Sequence, residues 1–560
     1  MSAPISRAHR AGLALASAVL ALLACRPPTD GANDSGTNDG VVWLVDESDA
    51  RGLNFTWESG VRGSLLMPEI IGGGAALIDV DADGDLDAYL VQCGSLRAAP
   101  ETRPSNRLYL NDGAGRFEDG TKNSGADDRG IGMGVATADA DGDGSVDLLV
   151  TNVGPNVLLL NDGAGRFRDA TRTSGVGHAG FSTSASFADL DLDGDLDLYV
   201  TNYLHWAANV EIPCTNQSGG VDYCDPQTYE APAIDALYEN LGDGTFRDVT
   251  ESAGVSAVGC GLGVVAGDFD DDGRVDLFVA NDGMPDFLWV NETTDGGLSF
   301  TDQAFERGCA VDGHGAAKAG MGVASADLDA DGDLDLLVCN LNTESDSVFE
   351  NRGGSFHDAT ARVGLGRASR SFTRFGVGIV DFDLDGVLDL FQANGRVQRL
   401  SPRFSTDLYA EPNLLFHGAA DGRFREVTPR VGAARTSRGA AFGDVDGDGA
   451  VDVLVVNRDA PVELLMNRVP RRGTAVVLRI LDARGGPALG ARVTAMVEGR
   501  KVRRDVATDG SYVSASAPDV ILGLGSAPSA STVVVRWTDG FEERLGTLPA
   551  GSRRTVRRAD

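Results

Sequence analysis

Seven nine-residue segments of this chain carry aspartate at positions one, three, five and nine and glycine at position six. They are Asp79-Val80-Asp81-Ala82-Asp83-Gly84-Asp85-Leu86-Asp87, Asp139-Ala140-Asp141-Gly142-Asp143-Gly144-Ser145-Val146-Asp147 and Asp189-Leu190-Asp191-Leu192-Asp193-Gly194-Asp195-Leu196-Asp197. Four more follow: Asp268-Phe269-Asp270-Asp271-Asp272-Gly273-Arg274-Val275-Asp276, Asp327-Leu328-Asp329-Ala330-Asp331-Gly332-Asp333-Leu334-Asp335, Asp381-Phe382-Asp383-Leu384-Asp385-Gly386-Val387-Leu388-Asp389 and Asp444-Val445-Asp446-Gly447-Asp448-Gly449-Ala450-Val451-Asp452. Four carboxylates in nine residues repel one another unless a hard cation with six to eight oxygen ligands sits among them. Calcium is the expected ion, up to seven per chain. The glycine permits the sharp turn that brings the position-seven carbonyl (of Asp85, Ser145, Asp195, Arg274, Asp333, Val387 or Ala450) to join the carboxylates.

An EF-hand opens with the same spacing but needs a bidentate glutamate at position twelve. Here that position holds Leu90, Val150, Val200, Val279, Val338, Gln392 and Val455. The flanks, such as Asp-Leu-Tyr-Val-Thr-Asn at 197–202 and Asp-Leu-Phe-Val-Ala-Asn at 276–281, read as buried strands rather than helices. Each loop is therefore placed in a β-hairpin. The competing interpretation, ordinary Asp/Gly turns on an acidic surface, suits one copy far better than seven intact ones.

The loops recur at intervals of 60, 50, 79, 59, 54 and 63 residues, one supersecondary unit with variable insertions. In most units a Gly-rich approach strand precedes the loop, as in Gly132-Met133-Gly134-Val135. An apolar strand follows and ends in asparagine at 152, 202, 281, 340, 394 and 457, with Gln92 in the first unit. A third strand and turn (Leu108 to Phe117, Leu158 to Phe167) and a fourth strand with Phe-x-Asp-x-Thr (Phe167 to Thr171, Phe246 to Thr250) complete the unit. Four short antiparallel strands repeated seven times predict an all-β fold, a seven-bladed β-propeller over 41–467. The last unit lacks its own fourth strand, while Val45 to Leu53 resembles a displaced one. The N-terminal strand is thus expected to complete blade seven and hide the sheet edges.

The chain has 48 basic and 83 acidic residues, which argues against a nucleic-acid partner, since phosphate binding needs a basic footprint. Seven divalent ions would move the net charge from -35 to -21. From Asn467 to Asp560 the balance reverses, with 16 basic and 9 acidic residues. That tail either docks on the acidic body or forms a separate domain of different composition, the latter being the simpler expectation.

Arg7 and Arg10 precede an apolar run, Ala11 to Leu23, of signal-peptide length, too short to span a bilayer as a helix. Leu22-Leu23-Ala24-Cys25 resembles a bacterial lipobox, which implies a signal peptide at 1–25 and lipidation of Cys25; an ordinary secretory signal is the alternative. Residues 26–40 read as a flexible tether. The expected location is extracytoplasmic, anchored to the bacterial cell envelope by lipid or secreted. Calcium sites there typically have Kd of about 10⁻⁴ to 10⁻³ M. Each would then add on the order of 1 kcal/mol of stability at comparable or somewhat higher calcium.

An insertion from about Tyr203 to Asp235 carries Tyr203, Trp206, Tyr223 and Tyr229 beside Cys214 and Cys224. Its aromatics are either ligand contacts or packing on the blades. In an oxidising compartment Cys214–Cys224 is the first disulfide candidate and Cys260–Cys309 the second, with Cys93 and Cys339 free.

These units resemble FG-GAP or VCBS repeats, as in the integrin α-subunit propeller, over about Val41 to Asn467. Pro68-Glu69-Ile70-Ile71-Gly72-Gly73-Gly74 and Tyr223-Cys224-Asp225-Pro226-Gln227-Thr228-Tyr229 resemble the family that includes cartilage acidic protein and its bacterial relatives. Leu489-Gly490-Ala491-Arg492-Val493, Gly523-Leu524-Gly525 and Val535-Arg536-Trp537-Thr538-Asp539-Gly540 resemble the ASPIC/UnbV domain, expected here as a small β-sandwich over 468–560. Thr538 stands where that pattern usually has proline. The integrin resemblance implies that the ions stiffen hairpins and do no chemistry.

The six histidines, at 9, 178, 205, 314, 357 and 417, show no zinc-protease spacing, and there is no Gly-x-Ser-x-Gly elbow or Walker loop. A non-enzymatic binding or adhesion module for an extracellular protein or glycan is the leading expectation. A calcium-dependent polysaccharide lyase and a purely structural envelope protein are the alternatives.

Overall fold

Every Asp-Gly loop closes a β-hairpin in one register. The residue before position one pairs with the position-nine aspartate, from Ile78 with Asp87 in the first blade to Gly443 with Asp452 in the last. The structure, a computed structural model, describes residues 42–559 except 217, 295, 296, 400–403 and 471. The expected signal peptide, Cys25 and the expected tether lie outside the described residues.

Blade one orders its strands Ala75–Ile78, Asp87–Leu90, Arg107–Asn111 and Phe117–Asp119 from the axis outward. Six further four-stranded units follow, with inner strands Gly132–Ala138, Ala179–Ala188, Gly261–Gly267, Val323–Ala326, Arg374–Val380 and Ser437–Gly443. In blade seven the outer strand is Leu44–Asp46, antiparallel to Glu463–Asn467, so the N-terminal segment closes the ring as expected. Approach-strand glycines let inner strands touch around the axis. A Cβ on Gly134 would lie 2.7 Å from the Thr183 carbonyl, one on Gly322 2.0 Å from that of Phe375, and one on Gly439 2.3 Å from that of Gly73.

Residues 474–557 form two sheets, one of Val520–Gly525, Thr474–Leu481 and Arg553–Arg557, the other of Arg500–Asp505, Arg492–Val497, Ser529–Arg536 and Glu542–Pro549. Val476, Leu478, Val493, Leu522, Val533 and Val535 are fully buried between them. This sandwich is not set apart from the propeller. The described residues of propeller and sandwich belong to one compact unit, and the segment 508–517 enters the central channel and bonds to the inner strand of every blade. Ala515 exchanges backbone hydrogen bonds with Ala75 and Leu77 (2.9 and 3.2 Å), Val135 N–H donates to the Val513 carbonyl (3.1 Å), and Val513 N–H donates to Ser184 Oγ (3.0 Å). Ala266 N–H donates to Asp509 (2.8 Å), Val323 N–H to the Ser511 carbonyl (2.9 Å), Val377 N–H to Ser511 Oγ (3.1 Å) and Ser511 Oγ to the Ala440 carbonyl (2.8 Å).

At the opposite mouth lie the one-turn helix Pro68–Ile71 and the insertion. Buried arginines hold that helix, Arg438 Nε donating to the Ile70 carbonyl (2.6 Å) and Arg458 Nε to that of Glu69 (2.8 Å). Tyr203 and Tyr223 are each 1% exposed, bonding Asp282 and Arg458. Trp206 and Tyr229 both donate to Glu211. Packing, not ligand contact, therefore accounts for these four aromatics. Cys214 and Cys224 form the disulfide, with Cα atoms 5.2 Å apart. The expected Cys260–Cys309 bond is absent. Both thiols are free and buried, Cys260 in the axial core and Cys309 in the core of the fourth and fifth blades. Cys93 and Cys339 are free and buried as well.

Removing residues 42–53 exposes the Glu463–Asn467 edge and deletes buried Trp43, Leu44 and Leu53. The expected cost is about 5 kcal/mol. Calorimetry of the truncated chain should show a sharply lowered melting temperature, whereas an unchanged melt would mean that the ring does not depend on this strand.

Candidate metal centres

The hairpin geometry fixes what each loop aspartate can do. At position five the carboxylate accepts from the position-seven N–H in all seven loops, from Asp85 N to Asp83 at 3.0 Å through Ala450 N to Asp448 at 3.0 Å. At position nine both oxygens are used: Asp87 accepts from Val80 N (3.0 Å) and Asn111 N (2.8 Å), and Asp452 from Val445 N (3.1 Å) and Asn467 N (2.7 Å), with the same pair in each blade between. The position-nine carboxylate thus braces the hairpin, each oxygen keeping a lone pair. At position one, in five of the loops, one oxygen accepts from the position-six glycine N–H, as for Gly84 to Asp79 (3.1 Å) and Gly449 to Asp444 (2.9 Å).

What remains is a set of buried oxygens with no partner. They are Oδ1 of Asp79 and Asp81, of Asp141, of Asp189, of Asp270, both oxygens of Asp327, and Oδ1 of Asp381, Asp444 and Asp446. Every loop supplies at least one. Buried polar atoms are otherwise paired, so an unpaired carboxylate oxygen recurring seven times fits a ligand cage for a cation. Potential ligand atoms of Asp79, Asp81 and Asp87 lie within 4.8 Å of one another, as do those of Asp139, Asp141 and Asp147, of Asp189, Asp191 and Asp193, of Asp268, Asp270 and Asp272, and of Asp383, Asp385 and His417.

Backbone strain marks the same loops. The position-six glycine has positive φ throughout, between 85° and 106°. Position four is left-handed as well, although five of the seven residues there are not glycine: Ala82, Leu192, Asp271, Ala330 and Leu384 have φ of 57° to 64°. Such backbone is unfavourable for a residue with a Cβ and persists where surrounding bonds over-determine it. Position-seven side chains point to neighbours: Asp333 accepts from Gly353 N (2.8 Å) and Arg274 donates to the Asn291 carbonyl (2.7 Å).

These loops have two partners, one not drawn from the sequence and one that the sequence offered only as the less favoured of two readings. One is the asparagine ending each third strand. Asn161 Nδ2 donates to the Val146 carbonyl of its own loop (3.1 Å) and to the Val80 carbonyl of the preceding blade (2.8 Å). Asn240 reaches Ala140, Asn291 Leu190, Asn351 Phe269, Asn467 Phe382 and Asn111 Val445, so each loop so reached is also a joint between blades. In the sixth blade Gly418 occupies this place and the link is missing. The recurring Leu-Asn-Asp-Gly turn was the available signal.

The other partner is the basic C-terminal sandwich, which docks on the acidic body. Arg479 bonds Asp79 (3.1 Å), Arg484 Asp195 (2.6 Å), Arg492 Asp268 and Asp271 (3.4 and 2.7 Å), Arg503 the Gly332 carbonyl (2.7 Å) and Arg553 Asp444 (2.6 Å). Composition showed this charge reversal, but spacing could not pair the arginines with loops hundreds of residues away.

A model of the FG-GAP-like repeat matches residues 79–150, 139–200, 228–279, 327–391 and 404–455, together more than half the chain, and a model of ASPIC and UnbV matches 482–560. The chain belongs to the FG-GAP-like repeat proteins. Its repeats are followed by an ASPIC/UnbV domain. This FG-GAP-like protein is 34% identical to cartilage acidic protein 1 of Xenopus tropicalis over 96 residues and 36% identical to that of Homo sapiens over 93 residues. The matched segments are 17% and 16% of this chain and 14% of each relative's length. Among solved structures, an Agrocybe aegerita lectin that recognises non-reducing terminal N-acetylglucosamine aligns over 70% of this chain and 86% of that one, at 16% identity and a TM-score of 0.38. A Bacillus licheniformis rhamnogalacturonan lyase aligns over 74% and 91%, at 12% and 0.29. Among the described residues no helix is long and apolar enough to cross a membrane.

Burial raises the position-one and position-nine carboxylates of every loop. Without an ion, Asp87 and Asp335 are pushed up to about 7, and Asp147, Asp197 and Asp276 to about 8, chiefly by desolvation. These groups bind protons in the folded chain that the unfolded chain, near 3.9, has released. The metal-free fold should therefore be most stable at low pH and lose stability as pH rises from about 4 to about 8. Scanning fluorimetry in EDTA between pH 5 and 8 should show a falling melting temperature; a rising one would mean that the carboxylates are stabilised ionised without metal.

Proposed function

We propose that this protein is an extracytoplasmic, calcium-stiffened, non-enzymatic binding module, tethered to the cell envelope through Cys25 and presenting the propeller mouth opposite the Asp loops to a glycan or protein ligand. The observation that carries the calcium assignment is the unpartnered buried carboxylate oxygen in each of seven oxygen-lined hairpins. Calcium takes six to eight oxygens in flexible geometry, and these loops offer carboxylates and a carbonyl. Bound ions would reverse the pH dependence of the metal-free chain, because they hold the same carboxylates ionised.

The choice of face follows from the sandwich. It covers the Asp-loop side and fills the channel, leaving the far mouth as the accessible end of the axis. There a cavity of about 280 Å³ is lined by apolar Met67, Ile70, Met321 and Phe375 and by polar Asp225, Gln227, Asp282, Asn342 and Glu344. An apolar lining with a few carboxylates and amides suits a ligand of many hydroxyls, such as a sugar.

In excess calcium the full chain should hold at least six ions by elemental mass spectrometry, and EDTA should lower its melting temperature by about 5 °C, from about 1 kcal/mol per site spread over a chain of this length. Unchanged stability in EDTA with no bound metal would remove the calcium assignment. For the ligand face, Thr343→Trp at the cavity rim should reduce binding at least tenfold to whatever a glycan array and pull-down identify, with the melt unchanged. Full retention of binding would place the ligand elsewhere.

A further inference from the structure

The sixth loop differs from the other six in ligand chemistry. On the third strand of that blade, Glu411–Gly418, the residue before the strand end is His417; the corresponding residues elsewhere are Leu110, Leu160, Glu239, Val290, Glu350 and Met466. His417 Nε2 lies 3.4 Å from Asp383 Oδ2 and 4.0 Å from Asp385 Oδ2 and has no hydrogen-bond partner. Asp381, crowded by the same two aspartates, is 4% exposed; its Oδ2 accepts from Gly386 N (2.8 Å), while Oδ1 is buried without a partner. The imidazole is held from the other side by Trp43, edge-on with centroids 5.4 Å apart.

We propose that the sixth loop is a mixed nitrogen and oxygen site for a first-row transition-metal dication such as Zn²⁺, ligated by His417, Asp383, Asp385 and Asp381, while the remaining loops are oxygen-only. Two atoms bound to one zinc at about 2.1 Å are about 3.0 Å apart at a right angle and about 3.4 Å apart at a tetrahedral one, so the His417–Asp383 separation fits a shared ion. Distance alone would also admit calcium. The imidazole decides, because calcium takes oxygen ligands whereas imidazole suits zinc, copper, iron and nickel.

This inference rests on the loops being cation sites. The test titrates the metal-free full chain with Co²⁺, followed by its visible absorption, and with Zn²⁺ by calorimetry, both in saturating calcium. One transition-metal ion per chain should bind, and His417→Ala and His417→Gln should each weaken it at least tenfold while leaving calcium bound at the other six loops. If calcium fills all seven loops and Zn²⁺ binding is the same in wild type and both variants, the mixed site is wrong and the calcium proposal stands. If the chain binds no divalent ion, both fail. Circular dichroism of the two variants checks that they are folded.

Discussion

Concentrated negative charge on one rim of the ring is the constraint on which the rest of this structure depends. Each hairpin turn gathers four aspartates, and burial raises the carboxylates of the first and last of them. Backbone N–H groups absorb part of that charge through positions one, five and nine. They leave an unpaired oxygen in every loop, which the proposed cations would satisfy. Because Asn161, Asn240 and their counterparts tie a loop to the next blade, whatever steadies a loop also steadies a blade interface.

Arginines from the C-terminal sandwich provide a second source of countercharge. Arg479, Arg484, Arg492 and Arg553 each meet a different loop, so the basic domain and the acidic ring are complementary surfaces of one body. Between those contacts, residues 508–517 touch all seven inner strands. Propeller channels need filling, since small inner-strand residues bring the strands close without closing the axis. Here Tyr512 and Val513 fill it from one side, and the helix Pro68–Ile71 with the insertion fills it from the other. Between these two fillings a cavity lined by Met67, Ile70, Gln227 and Asn342 remains at the far mouth.

Much of the architecture was legible because repetition multiplies a weak signal. One Asp-Gly turn says little, but seven with intact spacing gave the hairpins, the blade count and the glycine at position six, and the missing fourth strand of the last unit pointed to Leu44–Asp46. Readings that needed two distant segments to be placed together fared less well. Cys260 and Cys309 lie in neighbouring units yet in different cores, and the basic tail, expected as a separate domain, docks on the acidic body.

The sequence by itself determined the local chemistry: which residues crowd into each turn, which strand follows, and that the family is one of FG-GAP-like repeats with an ASPIC/UnbV domain. Those features depend on spacings of a few residues, where the backbone leaves little choice. Only the tertiary structure decided where the last domain goes, which arginine meets which loop, and that His417 stands beside Asp383. These contacts join residues from tens to hundreds of positions apart, and their partners are selected by shape and charge across packed surfaces, which no local pattern encodes.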